Sequence, residues 1–118
     1  MILIKENHIR AAGSITKAVE QIKKKNTCYR IEVEVTNIKE FTEAAKCGVD
    51  RIMLDNMKPA MMKKIVLKNA GKIELEASGG VTFENIKEVA ATGVDFISLG
   101  CLTSSFKTMD ISLLFKEG

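Results

Sequence analysis

Leu75-Glu76-Ala77-Ser78-Gly79-Gly80-Val81-Thr82-Phe83 is the stretch on which the fold turns: an apolar run stops at paired glycines and a helical pattern then starts. It predicts strand, tight turn, helix. Adjacent glycines have no Cβ to clash with a ligand and tolerate φ > 0, so their N–H groups can turn together toward an anion. A helix starting near Thr82 aims its partial positive end at the same spot. A Gly-Gly turn also joins strand to helix for packing reasons alone. By itself it leaves a phosphate site and a plain connection equally open, and the neighbouring strand ends must decide.

Outward from that turn, two periodicities alternate along the chain. Ile2 to Lys5 is a short apolar strand. Ser14 caps a helix whose apolar positions Ile15, Ala18, Val19 and Ile22 follow the i, i+3, i+4, i+7 spacing and run to about Lys25. Tyr29 to Val35 alternates as a second strand, with β-branched residues. Asn37 and Glu40 open the next helix as an Asn-x-x-Glu start, Phe41, Ala44 and Ala45 give its apolar side, and Gly48 ends it. Arg51 to Leu54 is the third strand. Pro59 suits a first helical turn, Met62, Ile65 and Val66 face inward, and Gly71 closes that helix. Ile73 to Ala77 is the fourth strand. Thr82 caps a helix bearing Ile86, Val89 and Ala90 that Gly93 stops, and Phe96 to Leu99 is the fifth strand. In the tail, Ile111 to Phe115 is expected to dock on the sheet.

An internal repeat supports this order. Ala45-Lys46-Cys47-Gly48-Val49-Asp50-Arg51-Ile52-Met53-Leu54 returns 45 positions later as Ala90-Ala91-Thr92-Gly93-Val94-Asp95-Phe96-Ile97-Ser98-Leu99. Each copy reads as helix end, glycine cap, aspartate, buried strand, at the spacing of two βα units. Strands alternating with helices imply parallel pairing and an α/β fold. Five such strands are fewer than the eight that close a (β/α) barrel of about 250 residues. The fold class is therefore α/β, a partial, open TIM-like barrel of about five parallel βα units.

Composition narrows the function classes. The chain has 118 residues, 46% hydrophobic and 28% charged, with a net charge of +3, which suits one globular domain. Lysines are scattered apart from Lys23-Lys24-Lys25 at a helix end, where cations suit the dipole. With one Tyr and no Trp, no basic stripe with interleaved aromatics presents itself to nucleic acid. Cys28, Cys47 and Cys101 lie far apart without a C-x-x-C pair, which argues against zinc and disulfides and for a reduced cytoplasmic setting. The opening Met1-Ile2-Leu3-Ile4 is too short for a membrane span or a signal segment.

In parallel α/β folds, ligands gather at the carboxyl ends of the strands. Here those ends read Lys5, Glu34, Asp55, Ser78-Gly79-Gly80 and Gly100-Cys101. One cation, two carboxylates and two glycine turns on one rim suit an anionic sugar phosphate, with Lys5 for a carboxylate or phosphate and Glu34 and Asp55 for hydroxyls or Mg2+. Each residue also has a plainer reading. Lys5 and Asp55 suit solvated strand ends, Glu34 in the alternation Glu32-Val33-Glu34 suits a polar sheet face, and His8 suits the cap of a turn. Cys101, with no histidine near it in sequence, suits a small neutral filler better than a nucleophile.

Ile2-Leu3-Ile4-Lys5-Glu6-Asn7-His8-Ile9, Ile31-Glu32-Val33-Glu34-Val35, Ile52-Met53-Leu54-Asp55-Asn56, Leu75 to Gly80 and Thr92 to Gly100 together resemble, in order and over nearly the whole chain, successive motifs of the quinolinate phosphoribosyltransferase (nicotinate-nucleotide pyrophosphorylase, carboxylating) family. The resemblance implies that residues 1–118 are the C-terminal portion of an open-faced barrel domain, with the N-terminal domain and early barrel strands absent. It further implies Mg2+-dependent phosphoribosyl transfer from phosphoribosyl pyrophosphate to quinolinate, giving nicotinate mononucleotide, pyrophosphate and CO2 in NAD synthesis. By position, Lys5 would contact quinolinate, Glu34 and Asp55 would hold the ribose hydroxyls with Mg2+, and Ser78, Gly79, Gly80, Leu99, Gly100 and Cys101 would line the substrate phosphate site. Two departures stand out. The arginine-rich segments that grip the quinolinate carboxylates have no counterpart here, and Gly100-Cys101-Leu102-Thr103-Ser104 has serine where the family often has histidine. A molybdenum-transport-associated paralogue and a non-catalytic phosphate-binding fragment remain the alternatives. The implied partners are the two small-molecule substrates and, because an unclosed sheet leaves two edges open to pairing, a second copy or a complementary N-terminal fragment, with neither nucleic acid nor membrane.

Overall fold

The computed structural model describes residues 1–25 and 28–100. The expectations for Cys101, Ser104 and the Ile111 to Phe115 tail lie outside the described residues. Five strands, β1 (Ile2–Ile4), β2 (Ile31–Val35), β3 (Arg51–Asp55), β4 (Glu74–Ser78) and β5 (Phe96–Ile97), form one sheet in sequence order. Every neighbouring pair is parallel. Helices α1 (Glu6–Ala12), α2 (Ile15–Lys24), α3 (Ile38–Lys46), α4 (Pro59–Asn69) and α5 (Ile86–Ala90) lie between them. The architecture is the expected α/β one, a parallel sheet that does not close.

The two faces of the sheet differ because side chains alternate along each strand. Ile31, Val33, Val35, Ile52, Leu54, Leu75 and Ala77 are buried on one face, in a cluster with Val19, Phe41, Ala44, Met62, Ile65 and Val89 from the helices. The register places Glu32 beside Arg51 and Glu74, and Glu34 beside Met53 and Glu76, on the other face. That face is polar. In a barrel it is the one that turns inward.

Local signals set the helix starts. The Ser14 side chain accepts the Lys17 N–H at 3.1 Å, and Asn37 accepts from Lys39 and Glu40 at 3.0 Å, so two sequence-read caps stand. Pro59 opens α4, whose end falls at Ala70 in the left-handed region, one residue before Gly71. Four readings need correction. The strand read as Ile2 to Lys5 stops at Ile4, because Lys5 caps a helix, α1, that the sequence reading did not include. Tyr29 and Arg30 precede β2 rather than belonging to it, and β5 ends at Ile97 rather than Leu99. Thr82 does not cap α5: Asn85 accepts the Thr82 N–H at 2.8 Å and donates to Gly80 O at 2.9 Å, a turn that delays the helix to Ile86.

Candidate functional site at the carboxyl rim

The residues expected at the strand ends do come to one rim. Lys5 caps α1, its backbone N–H donating to His8 Nδ1 at 3.0 Å, so His8 caps as its plainer reading had it. The Lys5 ammonium lies 4.0 Å from the Glu34 carboxylate and is 58% exposed, against 16% for the Glu34 side chain. A reaching cation thus stands over a largely buried carboxylate. Burial first, then the charge on Asp55, pushes the Glu34 carboxyl above its ordinary range, while Lys5 and the Glu6 backbone N–H act in the opposite direction. Glu34 and Asp55 therefore feel each other from the ends of the adjacent strands β2 and β3. Two carboxylates that repel in a half-buried place are stabilised by any cation or hydroxyl donor that comes between them.

Next along the rim, Asp55 pairs in register with Ser78, and the Asn56 N–H donates to Ser78 O at 2.9 Å, one step past the ladder. The Ser78-Gly79-Gly80 turn follows, with φ of +75° at Gly79 and +62° at Gly80. It faces Ser98, Leu99 and Gly100 across a cleft of about 470 Å3. The sequence-read phosphate residues up to Gly100 thus line one opening. The helix-end part of the expectation does not hold, since α5 has five residues and starts at Ile86, beyond the turn. What is left to meet an anion is the glycine backbone and the Ser78 hydroxyl, since the Ser98 hydroxyl donates to Glu76.

Below the rim, on the inward face, lies a charge network that the sequence reading did not connect. Arg51 donates to Glu74 at 2.9 Å and to Glu76 at 3.2 Å, Arg30 donates to Glu74 at 2.7 Å, and Ser98 donates to Glu76 at 2.6 Å. Arg51 and Arg30 hold Glu74 below the ordinary carboxylate range. Glu32 is buried there with Oε1 lacking a hydrogen-bond partner, and burial followed by the nearby Glu76 carboxylate pushes its carboxyl up to about 7. Glu32 in this network, together with Asn56, Asn85 and Ser98 around the cleft, escaped the sequence reading. Only the alternation Glu32-Val33-Glu34 hinted at the polar face, and only the Asp55-Asn56 pair, with asparagine's tolerance of left-handed backbone, hinted at a turn there.

Fold and rim together define an open parallel α/β sheet of the barrel type, with a cation, two carboxylates and a glycine turn gathered at the carboxyl ends of its strands. Residues 1–114 match the family described as quinolinate phosphoribosyl transferase, C-terminal domain, and the chain belongs to that family. It is 39% identical to the carboxylating nicotinate-nucleotide pyrophosphorylase of Rattus norvegicus, with all of this chain aligned to 41% of the rat protein. A probable enzyme of the same name from Bacillus subtilis is 41% identical over 95% of this chain and 39% of its own length. Among solved structures, the nicotinate-nucleotide pyrophosphorylase of Francisella tularensis superposes with a TM-score of 0.84 at 45% identity, covering 90% of this chain and 38% of that one. The chain thus spans about two-fifths of the length of the relatives it matches. Cys28 and Cys47 are free, and no helix of the described residues is long and apolar enough to cross a membrane.

Proposed function

We propose that this chain contributes the phosphoribosyl side of a carboxylating nicotinate-nucleotide pyrophosphorylase: transfer of a phosphoribosyl group from phosphoribosyl pyrophosphate to quinolinate, with release of pyrophosphate and CO2. The observation that carries the reading is the single rim on which Lys5, Glu34 and Asp55 adjoin the Ser78-to-Gly100 cleft. In the reaction the bond from the anomeric carbon to pyrophosphate breaks as the quinolinate nitrogen bonds to that carbon, and the sugar passes through an oxocarbenium-like state. Glu34 and Asp55 hold ribose hydroxyls and face that positive charge, and no covalent nucleophile is needed. Lys5, the exposed cation of the rim, meets a quinolinate carboxylate. Gly79, Gly80, Gly100 and the Ser78 hydroxyl take the phosphate. Among the described residues no cluster of three His, Cys, Asp or Glu side chains could hold a metal ion. The Glu34–Asp55 pair fits Mg2+, which is held by one or two carboxylates plus substrate phosphates and water, and which would neutralise the departing pyrophosphate. A reduced cytoplasmic setting suits the free thiols.

The site is shared with other parts of such an enzyme, including the cations that grip the second quinolinate carboxylate. Alone, the chain should bind phosphoribosyl pyrophosphate and form no measurable nicotinate mononucleotide. Mixed with the complementary N-terminal segment of a relative and Mg2+, it should form product. Glu34→Gln and Asp55→Asn should weaken phosphoribosyl pyrophosphate binding, as measured by calorimetry. Absence of both binding and complemented turnover would overturn the reading, and vigorous turnover by the chain alone would refute the shared site.

A further inference from the structure

We propose that Asn56 is a positioning residue that fixes both the Ser78-Gly79-Gly80 turn and the direction of the Asp55 carboxylate. The inference rests on the reading of this rim as the phosphoribosyl site. Asn56 and Ala70 are the two non-glycine residues with positive φ among the described residues, at +50° and +49°. Ala70 is explained by the end of α4. Asn56 ends no helix and sits between the two halves of the rim. Asparagine is among the few residues with a side chain that enter this backbone region readily, so strain there is modest and the conformation is one the residue type selects.

Three contacts use that conformation. The Asn56 N–H ties the end of β3 to Ser78 O at 2.9 Å. Its Nδ2 donates to Asp55 Oδ2 at 3.0 Å, engaging one carboxylate oxygen and leaving the other for a ligand. Its carboxamide lies over Gly79 so closely that a Cβ there would stand 2.6 Å from Cγ and 2.7 Å from Nδ2 and Oδ1. Glycine at position 79 therefore serves twice, for its φ of +75° and because a Cβ there would displace the Asn56 carboxamide from its seat. Two consecutive glycines are the most mobile turn a chain can make, and an anion that needs their amides in one geometry loses affinity to every other geometry they visit. Asn56 fills the room into which the turn would otherwise swing. A carboxylate and a phosphate turn on different strands are thereby held in one register, which suits a ligand such as a ribose phosphate that touches both.

Asn56→Gly keeps the left-handed backbone and removes the side-chain contacts, so it isolates the proposed role. In 15N relaxation spectra of the whole chain without ligand, the Gly79 and Gly80 amides should shift and become more mobile in Asn56→Gly, while the urea midpoint moves little. Titrated with sulfate as a stand-in dianion, the variant should bind about fivefold to tenfold more weakly, because the glycine amides are no longer held in one geometry before binding. Asn56→Asp, equal in shape but placing a charge beside Asp55 and the cleft, should bind more weakly still and recover partly at high salt. In an unfolding cycle, Gly79→Ala should cost less in the Asn56→Gly background than alone, because only the φ strain then remains. Gly79 and Gly80 amides unchanged in Asn56→Gly would overturn the proposal whatever the sulfate result. If the native chain bound no sulfate, the phosphate reading of the cleft would fall, and the amide data would still decide the role of Asn56.

Discussion

The two copies of the ten-residue repeat share their local devices and differ in their surroundings. In the first, the Asp50 N–H donates to Ile31 O at 3.0 Å and its Oδ2 accepts from Ile31 N at 2.7 Å. In the second, Asp95 makes the same pair of bonds to Leu75, at 2.9 and 2.8 Å. Each aspartate thus clamps the start of its own strand to the strand before it. Beyond the clamp the copies part. Strand β3 has five residues and a neighbour on each side, with Ile52 and Leu54 at 0% exposure. Strand β5 has two residues and one described neighbour, and Phe96 is 41% exposed. The expectation of a buried strand in both copies holds only for the first. A strand's start is written in its own residues, and its burial is conferred by what lies on either side.

The largest test of that contrast is truncation of matched side chains. Leu54→Ala empties a fully buried site between two strands and should cost about 2–5 kcal/mol, whereas Leu99→Ala, its counterpart in the second copy, should cost less than about 1.5 kcal/mol. Urea unfolding measures both. Equal losses would mean that the rim beyond β5 is as well packed as the centre of the sheet, and the contrast would disappear.

The clamps should behave in the opposite way, alike in both copies. Asp50→Ala and Asp95→Ala each leave a strand-starting N–H of a buried residue without its acceptor, for a loss of about 1–3 kcal/mol apiece. The two losses should agree within about 0.5 kcal/mol, the scatter expected of independent sites. A loss at Asp50 with none at Asp95 would show that the clamp depends on its neighbours after all.

The same division between local and conferred structure governs what could be read from the sequence. Strand order, the caps at Ser14 and Asn37 and the rim residues Lys5, Glu34, Asp55, Ser78 and Gly100 were legible because each depends on side-chain type and short spacing. Helix α1 was not, since its cap is Lys5, whose side chain makes no capping bond, and its seven residues are too few for a periodic pattern. Thr82 misled because a threonine ahead of an apolar pattern is an ordinary start signal, and Asn85 three residues later captured its N–H instead. The Glu32, Arg51, Glu74 and Glu76 network and the seat of Asn56 over Gly79 required the register of one strand against the next, which no single segment contains.

The smallest test lies where the two copies touch. Arg51 and Phe96 occupy the same position of the repeat, and in the sheet the Arg51 guanidinium sits 3.8 Å from the centroid of the Phe96 ring. Equivalent residues thus meet face to face on the inward side, Arg51 half-buried and already bonded to Glu74 and Glu76. A guanidinium held flat by two carboxylates presents its face to the ring, and a cation over an aromatic face at a partly exposed site gains about 0.5–1 kcal/mol. Phe96→Leu keeps the apolar bulk and loses the ring, so it should lower stability by about that amount, while Phe96→Tyr should retain it. Arg51→Met alone would mislead, because it also strips Glu74 and Glu76 of their partner, so the interaction is read from the double-mutant cycle of Arg51→Met with Phe96→Leu. A coupling energy indistinguishable from zero would mean that the ring merely rests on Arg51, and that the short fifth strand is held to the sheet by its ladder bonds and the Asp95 clamp alone.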